Sequence, residues 1–588
     1  MNHVKFAPKV IECRNYKDYD KELLCERLRN SNWSGVYNTN DVNTAWANMK
    51  TTILSCFDAL APKITKRIKG KPCPWLTADI KENMNKRDRL FRKSRRTKNF
   101  SDIKNYKTKR NEVSYLVRHA KQTYYKKLLK ESANNPDSFW STIKKLYPSK
   151  PKSQPLQIFD INSTKTSNPL LISNTFFSYF SNAVSCLEKK SFSIRDCIWI
   201  PQTKSYLRTT HNFKFSVVCV DEVKIELKRL NRKKSTGLDG IPPHLLKDCA
   251  AIIANPLTHI INNSLGTSVY PTDWKYSKLL PFYKSASRSD IKNYRPISVI
   301  PAISKIIEKI VHKQLSSYLE PNLLLNKAQF GFRKERSTEL AAKLFVDNIK
   351  RKVNDGKLVG AVFIDLSKAF DTLSHGKLIN KLESYGISGV ELIWFKDYLF
   401  NRSQTVSHKE CLSDVGKVTS GVPQGSIIGP LLFTIFFNDF PECLKHSEVV
   451  IYADDTVIYV PGMDPFIIET RLSADMESIS KWCVDNELIL NFNRGKTESM
   501  MFGTAKRLAK QSTLTVMFGF QQVNFTTFYK YLGIHIDPSL NMSTNFTKTL
   551  KKASGRLRFL HKIRPFLNLT HAKLIYQSMV LPTLTWYS

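Results

Sequence analysis

VVIYADDTVIYV, Val449 to Val460, is the stretch on which the reading of this 588-residue chain turns. Two runs rich in β-branched and aromatic residues flank an adjacent pair of aspartates, Asp454 and Asp455. Read as a hairpin, the segment carries both carboxylates at an exposed tip between two buried strands. Adjacent carboxylates repel, and a fold tolerates them where something positive sits on them. A hard divalent cation with oxygen ligands does this. A solvated turn, where Asp is common, is the alternative that the pair alone leaves open.

Working outward, VGAVFIDLSKAFD (Val359 to Asp371) is a small and apolar run ending in Asp365, followed by a helical pattern. A carboxylate at the end of such a strand can join the pair from a neighbouring strand. Three carboxylates can hold two metal ions about 4 Å apart, one activating an attacking hydroxyl, the other stabilising leaving pyrophosphate. Asp371 is expected to cap or brace the helix start and stays outside this set. Phe370, on the turn leaving the strand, is placed to lie under the sugar of an incoming nucleotide and exclude a 2′-hydroxyl. A core Phe is the alternative. TSGVPQGSIIGPLLF (Thr419 to Phe433) is a Gly/Pro-punctuated loop opening into an apolar helix. Its Gly421, Gly425 and Gly429 let backbone approach a substrate or template, and Gln424 can hydrogen-bond base or sugar. Lys284, after an apolar run, and Arg295, in NYRPIS, are the cations expected to meet triphosphate.

Composition points the same way. Lys and Arg number 91 against 50 Asp and Glu, a net charge of +41. Such a charge calls for a polyanionic partner, and nucleic acid is the commonest. A membrane surface fits less well, because no long basic amphipathic stretch carries a Trp/Phe/Leu face. The 11 cysteines form no Cys-x-x-Cys pair and no zinc-spaced Cys/His cluster, which disfavours a disulfide scaffold or zinc finger. The first residues lack a signal-peptide core, and the most apolar run, Ile427 to Phe437, is too short to span a bilayer. A soluble protein with reduced thiols in an intracellular compartment is expected.

Between Lys81 and Lys130 lie 18 Lys/Arg and 4 Asp/Glu. Val113, Val117, Ala120, Tyr124 and Leu128 recur at helical spacing, while Lys107, Arg110, Arg118 and Lys121 fall largely off that stripe. Arg110 and Lys121 are therefore candidate nucleic-acid contacts, helped by interleaved tyrosines. Pro136, Pro148, Pro151 and Pro155 suggest a linker. From about Phe213 to Ile536, short apolar runs alternate with helical patterns, the texture of one α+β unit.

Eight blocks in this order, over about 300 residues, resemble the reverse transcriptases of non-LTR retrotransposons, close to the jockey-like group: STGLDGIPP (from Ser235), KNYRPISVIPAISKIIEKIV (Lys292), AQFGFRKERST (Ala328), FIDLSKAFDTLSH (Phe363), SGVPQGSIIGPLLF (Ser420), IYADDTVIY (Ile451), LNFNRGKTESM (Leu490) and YKYLGIHID (Tyr529). The resemblance implies a right-hand polymerase: fingers with Lys284, Arg295 and the AQFGFR segment, whose Gln329 and Arg333 would touch nucleic acid. It implies a palm with Asp365, Asp454 and Asp455 binding two Mg²⁺ (Mn²⁺ as a substitute), and Leu366 lending a carbonyl. Phe370 matches the steric gate, Gln424 and Gly425 the template and nucleotide loop, and Lys496 the lysine that protonates pyrophosphate. Tyr531, Leu532 and Gly533 match the primer grip. Pro74–Phe91 looks like the basic linker that follows the endonuclease in these elements.

The implied organisation is a basic helical extension over 1–150, a second helical extension over 151–269, fingers and palm over 270–537, and a partial thumb over 538–588. No room for an endonuclease exists before Pro74, and no terminal Cys/His knuckle or ribonuclease H segment is visible, so a separate endonuclease is the expected partner. The implied activity is RNA-directed DNA synthesis from a DNA primer 3′-OH, with dNTPs, as in target-primed reverse transcription. The nucleus is the expected compartment, with the cytoplasm during ribonucleoprotein assembly. A non-catalytic nucleic-acid-binding remnant and an RNA-dependent RNA polymerase are the competing readings.

Overall fold

Seven consecutive buried residues, Leu358–Ile364, form the strand (β1) around which the larger part of the molecule is built. A strand covered on both faces reads as a continuous apolar run without alternation, as this one does. The computed structural model describes residues 9–68, 73–132, 135–147, 159–161, 164–194, 208–284, 286–409, 411–510 and 513–585. The chain divides into two units, one of residues 14–63 and 156–542, the other of 1–13, 64–155 and 543–588.

In the first unit β1 is flanked by β3 (Asp455–Gly462) and β4 (Glu498–Phe502), with β2 (Glu448–Tyr452) and β5 (Asn524–Phe525) at the edges. β3 runs antiparallel to β1, from Thr456 opposite Ile364 to Gly462 opposite Leu358. β4 is also antiparallel, with Glu498 opposite Phe363. A Cβ at Gly360 would stand 2.4 Å from Ile468 Cγ2, so the helix Pro465–Asp485 rests directly on the strand.

A second sheet joins Tyr276–Tyr283 to Tyr294–Val299 as a hairpin, with Arg402–His408 parallel on its other side and Gly416–Val418 beyond. Leu279 and Val406 on this sheet are buried with Phe159, Ile172, Phe176 and Phe180. The last three lie on the helix Pro169–Ile194. The helix Val42–Leu60, capped by the Asp41 carboxylate, places Trp46 edge-on to Trp274 at 5.2 Å in the main core.

The other unit is mainly helical, with a two-stranded pairing of the Lys9–Arg14 and Lys63–Ile68 strands. Ala78–Thr97 and Phe100–Glu131 form an antiparallel pair, with Lys98 in the left-handed conformation (φ 51°) at the corner. The buried residues of the second helix are Asp102, Val113, Tyr125 and Leu129, not the expected Tyr124 and Leu128. Its first half packs on Ala78–Thr97 and its second on Pro136–Leu146, so one straight stripe cannot serve both. Pro136 does not open a linker. It stands in the first turn of Pro136–Leu146, where no N–H is needed, behind an Asn135 cap. Pro148, Pro151 and Pro155 lie outside the described residues.

Tyr125, Leu129, Phe139, Ile143 and Leu146 share their core with Ile563, Leu567 and Ile575 of the C-terminal helices. The expected boundaries at 150 and 538 therefore do not separate the two units: residues 14–63 join the sheets, and the segment after 543 completes the basic helices. Among the described residues, no helix is long and apolar enough to cross a membrane.

Candidate active site

β2 and β3 pair up to Tyr452 opposite Asp455, leaving Ala453 and Asp454 as a two-residue tip. One register step beyond Thr456–Ile364 brings Asp365, just past the end of β1, alongside Asp455. The three aspartates thus meet at one end of the sheet because the β1–β3 register carries them there. Burial, with Asp365 adding its negative charge, raises the Asp454 carboxyl above the ordinary range. Asp455 is pushed up to about 6, first by burial of its carboxylate and then by Asp454 and Asp365, although the residue as a whole reaches solvent.

Asp365 is held from both sides. Its Oδ1 is 2.9 Å from Lys496 Nζ, and its Oδ2 accepts from Asn491 Nδ2 at 2.9 Å. Among the described residues no group of three His, Cys, Asp or Glu side chains closes around a metal position. The donor chemistry nonetheless fits a hard cation: three convergent carboxylates, two of them holding protons more tightly than usual, first because they are buried and then because Asp365 adds its negative charge to both. Asp365 and Ser367 hydrogen-bond to the 489–491 segment, and alternation along the strand then turns the Leu366 peptide to the opposite edge.

Asp365, Leu366, Asp454 and Lys496 line one wall of an open cleft of about 770 Å³. Lys284, Arg295, Phe370, Gln424 and Gly425 line the same cleft. Arg295 lies opposite Phe282 in the hairpin register, its guanidinium 5.5 Å from that ring. Phe370 is stacked on Phe433 at 4.5 Å. Gln424 donates from Nε2 to Asp371 Oδ1 at 2.8 Å, and its carbonyl accepts from Ser298 N–H at 2.9 Å. Asp371 therefore braces the loop rather than the helix start, with its carboxyl raised by burial. At Gly425 (φ 138°) the close neighbour is the chain itself: a Cβ would lie 2.4 Å from Ser298 O.

The remaining expected residues lie elsewhere. Tyr529–Tyr531 and Ile534–Ile536 form a hairpin whose tip is Leu532 (φ 44°) and Gly533 (φ 98°). Tyr531 is buried against Phe345 and Phe363. Gln329 and Arg333 are not displayed for nucleic acid. Gln329 is 1% exposed, and Arg333 donates to both Glu320 carboxylate oxygens and to Asn326 O. Arg110 and Lys121 belong to the helical unit: Arg110 is exposed, and Lys121 Nζ stands 5.7 Å from the Trp75 ring centroid.

Several cleft residues escaped the sequence reading. Lys292 and Lys368 add two cations to the cleft that Lys284 and Arg295 line, and Tyr179 and Phe180 add aromatic surface. Lys368 sits 5.3 Å from the Tyr179 ring, its ammonium form disfavoured by burial. Glu308, fully buried, accepts from Ile427 N–H at 2.5 Å and supports the Gln424 loop from below. Lys292, Lys368 and Glu308 all stand inside quoted blocks, Glu308 within the ordinary charge pattern of an amphipathic helix.

Residues 284–536 match the family model described as reverse transcriptase (RNA-dependent DNA polymerase). Residues 76–136 match the model of the female sterile protein K10 C-terminal domain. The RNA-directed DNA polymerase from mobile element jockey of Drosophila melanogaster is 27% identical over 65% of this chain and 42% of its own length. The probable RNA-directed DNA polymerase from transposon BS of the same species is 28% identical over 62% and 41%. That from transposon X-element is 25% identical over 61% and 40%. The chain thus spans about two-fifths of these relatives. Reverse transcriptases generally use divalent metal ions, in keeping with the acidic end of the cleft. With these likenesses and the cleft at the end of β1 together, residues 284–536 are similar to a reverse transcriptase domain, and among relatives to those of jockey and other Drosophila mobile elements.

Proposed function

We propose that the chain extends a DNA primer 3′-OH on an RNA template, using dNTPs. The observation that carries this reading is that Asp365 and Asp454, with Asp455 beside them, line the same cleft as the cations Lys284, Lys292, Arg295 and Lys368. Such a cleft takes a triphosphate lengthwise, its anionic tail on the cations and its α-phosphate near the carboxylates. Two Mg²⁺ ions held by Asp365, Asp454, Asp455 and the Leu366 carbonyl would activate the attacking hydroxyl and stabilise the leaving pyrophosphate.

The protein's own groups do the rest. Lys284 and Arg295 orient the phosphates, Arg by its planar fork and Lys as a point charge. Phe370, backed by Phe433, presents a rigid face where a 2′-hydroxyl would project. Gln424 has its Nε2 committed to Asp371, which leaves Oε1 to meet base or sugar. Lys496 must release Asp365 before it can give a proton to pyrophosphate. The Leu532–Gly533 tip would hold the primer strand, and the exposed cations of the helical unit the template RNA. In this reading the Tyr276–Val299 hairpin belongs to the fingers and the β1–β5 sheet to the palm. Priming at nicked target DNA in the nucleus, with a nuclease supplied separately, completes it.

Primer extension with the purified chain, an RNA template, a DNA primer, Mg²⁺ and dNTPs tests the proposal. Incorporation that disappears in the D454N/D455N double variant is the expected result. No extension by the wild-type chain, or extension indifferent to that change, overturns it. Preference for rNTPs would favour RNA synthesis, and F370A should relax dNTP selectivity if the gate assignment holds.

A further inference from the structure

The turn that carries Asp454 is conformationally unfavourable. Ala453, its first tip residue, has φ +57°, whereas Asp454 is not in the left-handed region. That sign pattern belongs to a turn whose first position favours Gly, because a Cβ crowds the following carbonyl. Here the position is Ala, and the next two residues are mutually repelling carboxylates.

The compensation comes from residues 328–331, which lie along the open edge of β2. Ile451 N–H donates to Ala328 O at 3.0 Å, and Phe330 N–H donates to Ile451 O at 2.8 Å. Between them Gln329 turns inward and is 1% exposed. Its Oε1 accepts from Ala453 N–H at 3.0 Å and from Gly331 N–H at 2.7 Å. Two converging donors fix which end of the amide faces the turn, since Nε2 could not stand there. Gln329 Nε2 is buried without a partner among the described residues, so the side chain is retained at a cost, and its acceptor is what the fold uses. Gly331 permits the approach: a Cβ there would fall 2.3 Å from Ala453 N.

We infer that Gln329 is a positioning residue for the catalytic turn. Its Oε1 holds the Ala453 peptide left-handed, so that Asp454 and Asp455 face Asp365 instead of swinging apart under their own repulsion. The inference rests on the polymerase reading for its catalytic consequence, but the clamp itself is testable without it.

Hydrogen–deuterium exchange of the full chain reads the clamp directly. In Q329M, which keeps the volume and removes the acceptor, the amides of 452–455 should exchange roughly 10-fold faster or more, with the remainder of β2 and β3 unchanged. Unchanged exchange at 452–455 overturns the clamp whether or not the chain polymerises. In primer extension, Q329M should lower kcat roughly 10- to 100-fold, as a misplacement of about 1 Å does, with the KM for dNTP nearly unaffected. Adding A453G, which takes a positive φ unaided, should restore most of that loss. A wild-type kcat in Q329M, or a loss that A453G leaves untouched, overturns the positioning role. Should Q329M fail to fold, G331A displaces the same contact from the outer side, and faster 452–455 exchange is again required. Absence of extension by the wild-type chain sinks the polymerase reading alone, and the exchange result still decides the clamp.

Discussion

Two of the hairpins in the sheet unit are built on opposite principles. The Leu532–Gly533 tip has both central residues at positive φ, Gly at the second, and its strands are nailed down by aromatic stacking: Tyr529 lies 4.0 Å from Phe363, and Tyr531 is buried beside it. Its support is apolar, from rings 166 and more positions away in the chain. The Ala453–Asp454 tip has one left-handed residue of the wrong type, two repelling carboxylates, and supports that come from residues 120 and more positions away in the chain. The difference teaches where function costs stability. The apolar hairpin is shaped to persist, and the acidic one to hold charge that the fold alone would rather not have.

The sharpest way to break this comparison is the D454N/D455N double variant. Incorporation should fall by roughly 10³-fold or more, about 4 kcal/mol of barrier, while the melting temperature stays level or rises by about 1–2 °C. A clear drop in melting temperature would place the aspartates among the supporting residues and erase the contrast. Y531A probes the other side. Removing a buried aromatic should cost about 3 kcal/mol or more, seen as a shifted denaturation midpoint with an unchanged slope. G533A sharpens the point with a smaller effect. A Cβ at φ +98° should cost about 1 kcal/mol or more, and near-neutral behaviour would mean the tip has no fixed conformation.

The smallest effect is in pH. The folded chain holds the Asp455 proton up to about 6, above the unfolded value, so it binds more protons than the unfolded chain in between. Stability relative to D455N should therefore fall as pH rises from about 4 through about 6, measured without divalent cation. A difference that rises with pH would show the carboxylate to be favourably paired.

What the sequence disclosed follows the same division. Asp365, Asp454 and Asp455 were legible because each ends or interrupts an unbroken apolar run, a local signal, and the register then had only one way to bring them together. Lys284, Arg295 and Gln424 were legible as residue types suited to phosphate or base. Gln329 was read outward as a nucleic-acid contact because a Gln between Ala and Phe carries no sign of direction. Only the parallel contact with Ile451 turns it inward. The same holds for Arg333, whose partner Glu320 belongs to another segment. The stripe on Phe100–Glu131 slipped by one residue because its two halves answer to different neighbours. The joining of residues 64–155 with 543–588 had no local signal at all, since either stretch is a plausible basic helix by itself.

That joining has a consequence in time. Tyr125, Phe139 and Ile143 find part of their cover in Ile563, Leu567 and Ile575, which are synthesised more than 400 residues later. At about 5–20 residues per second, the ribosome needs roughly 20–90 s to deliver them. For that interval the early helices wait with an uncovered apolar seam beside a dense row of lysines and arginines, a state that calls for a chaperone.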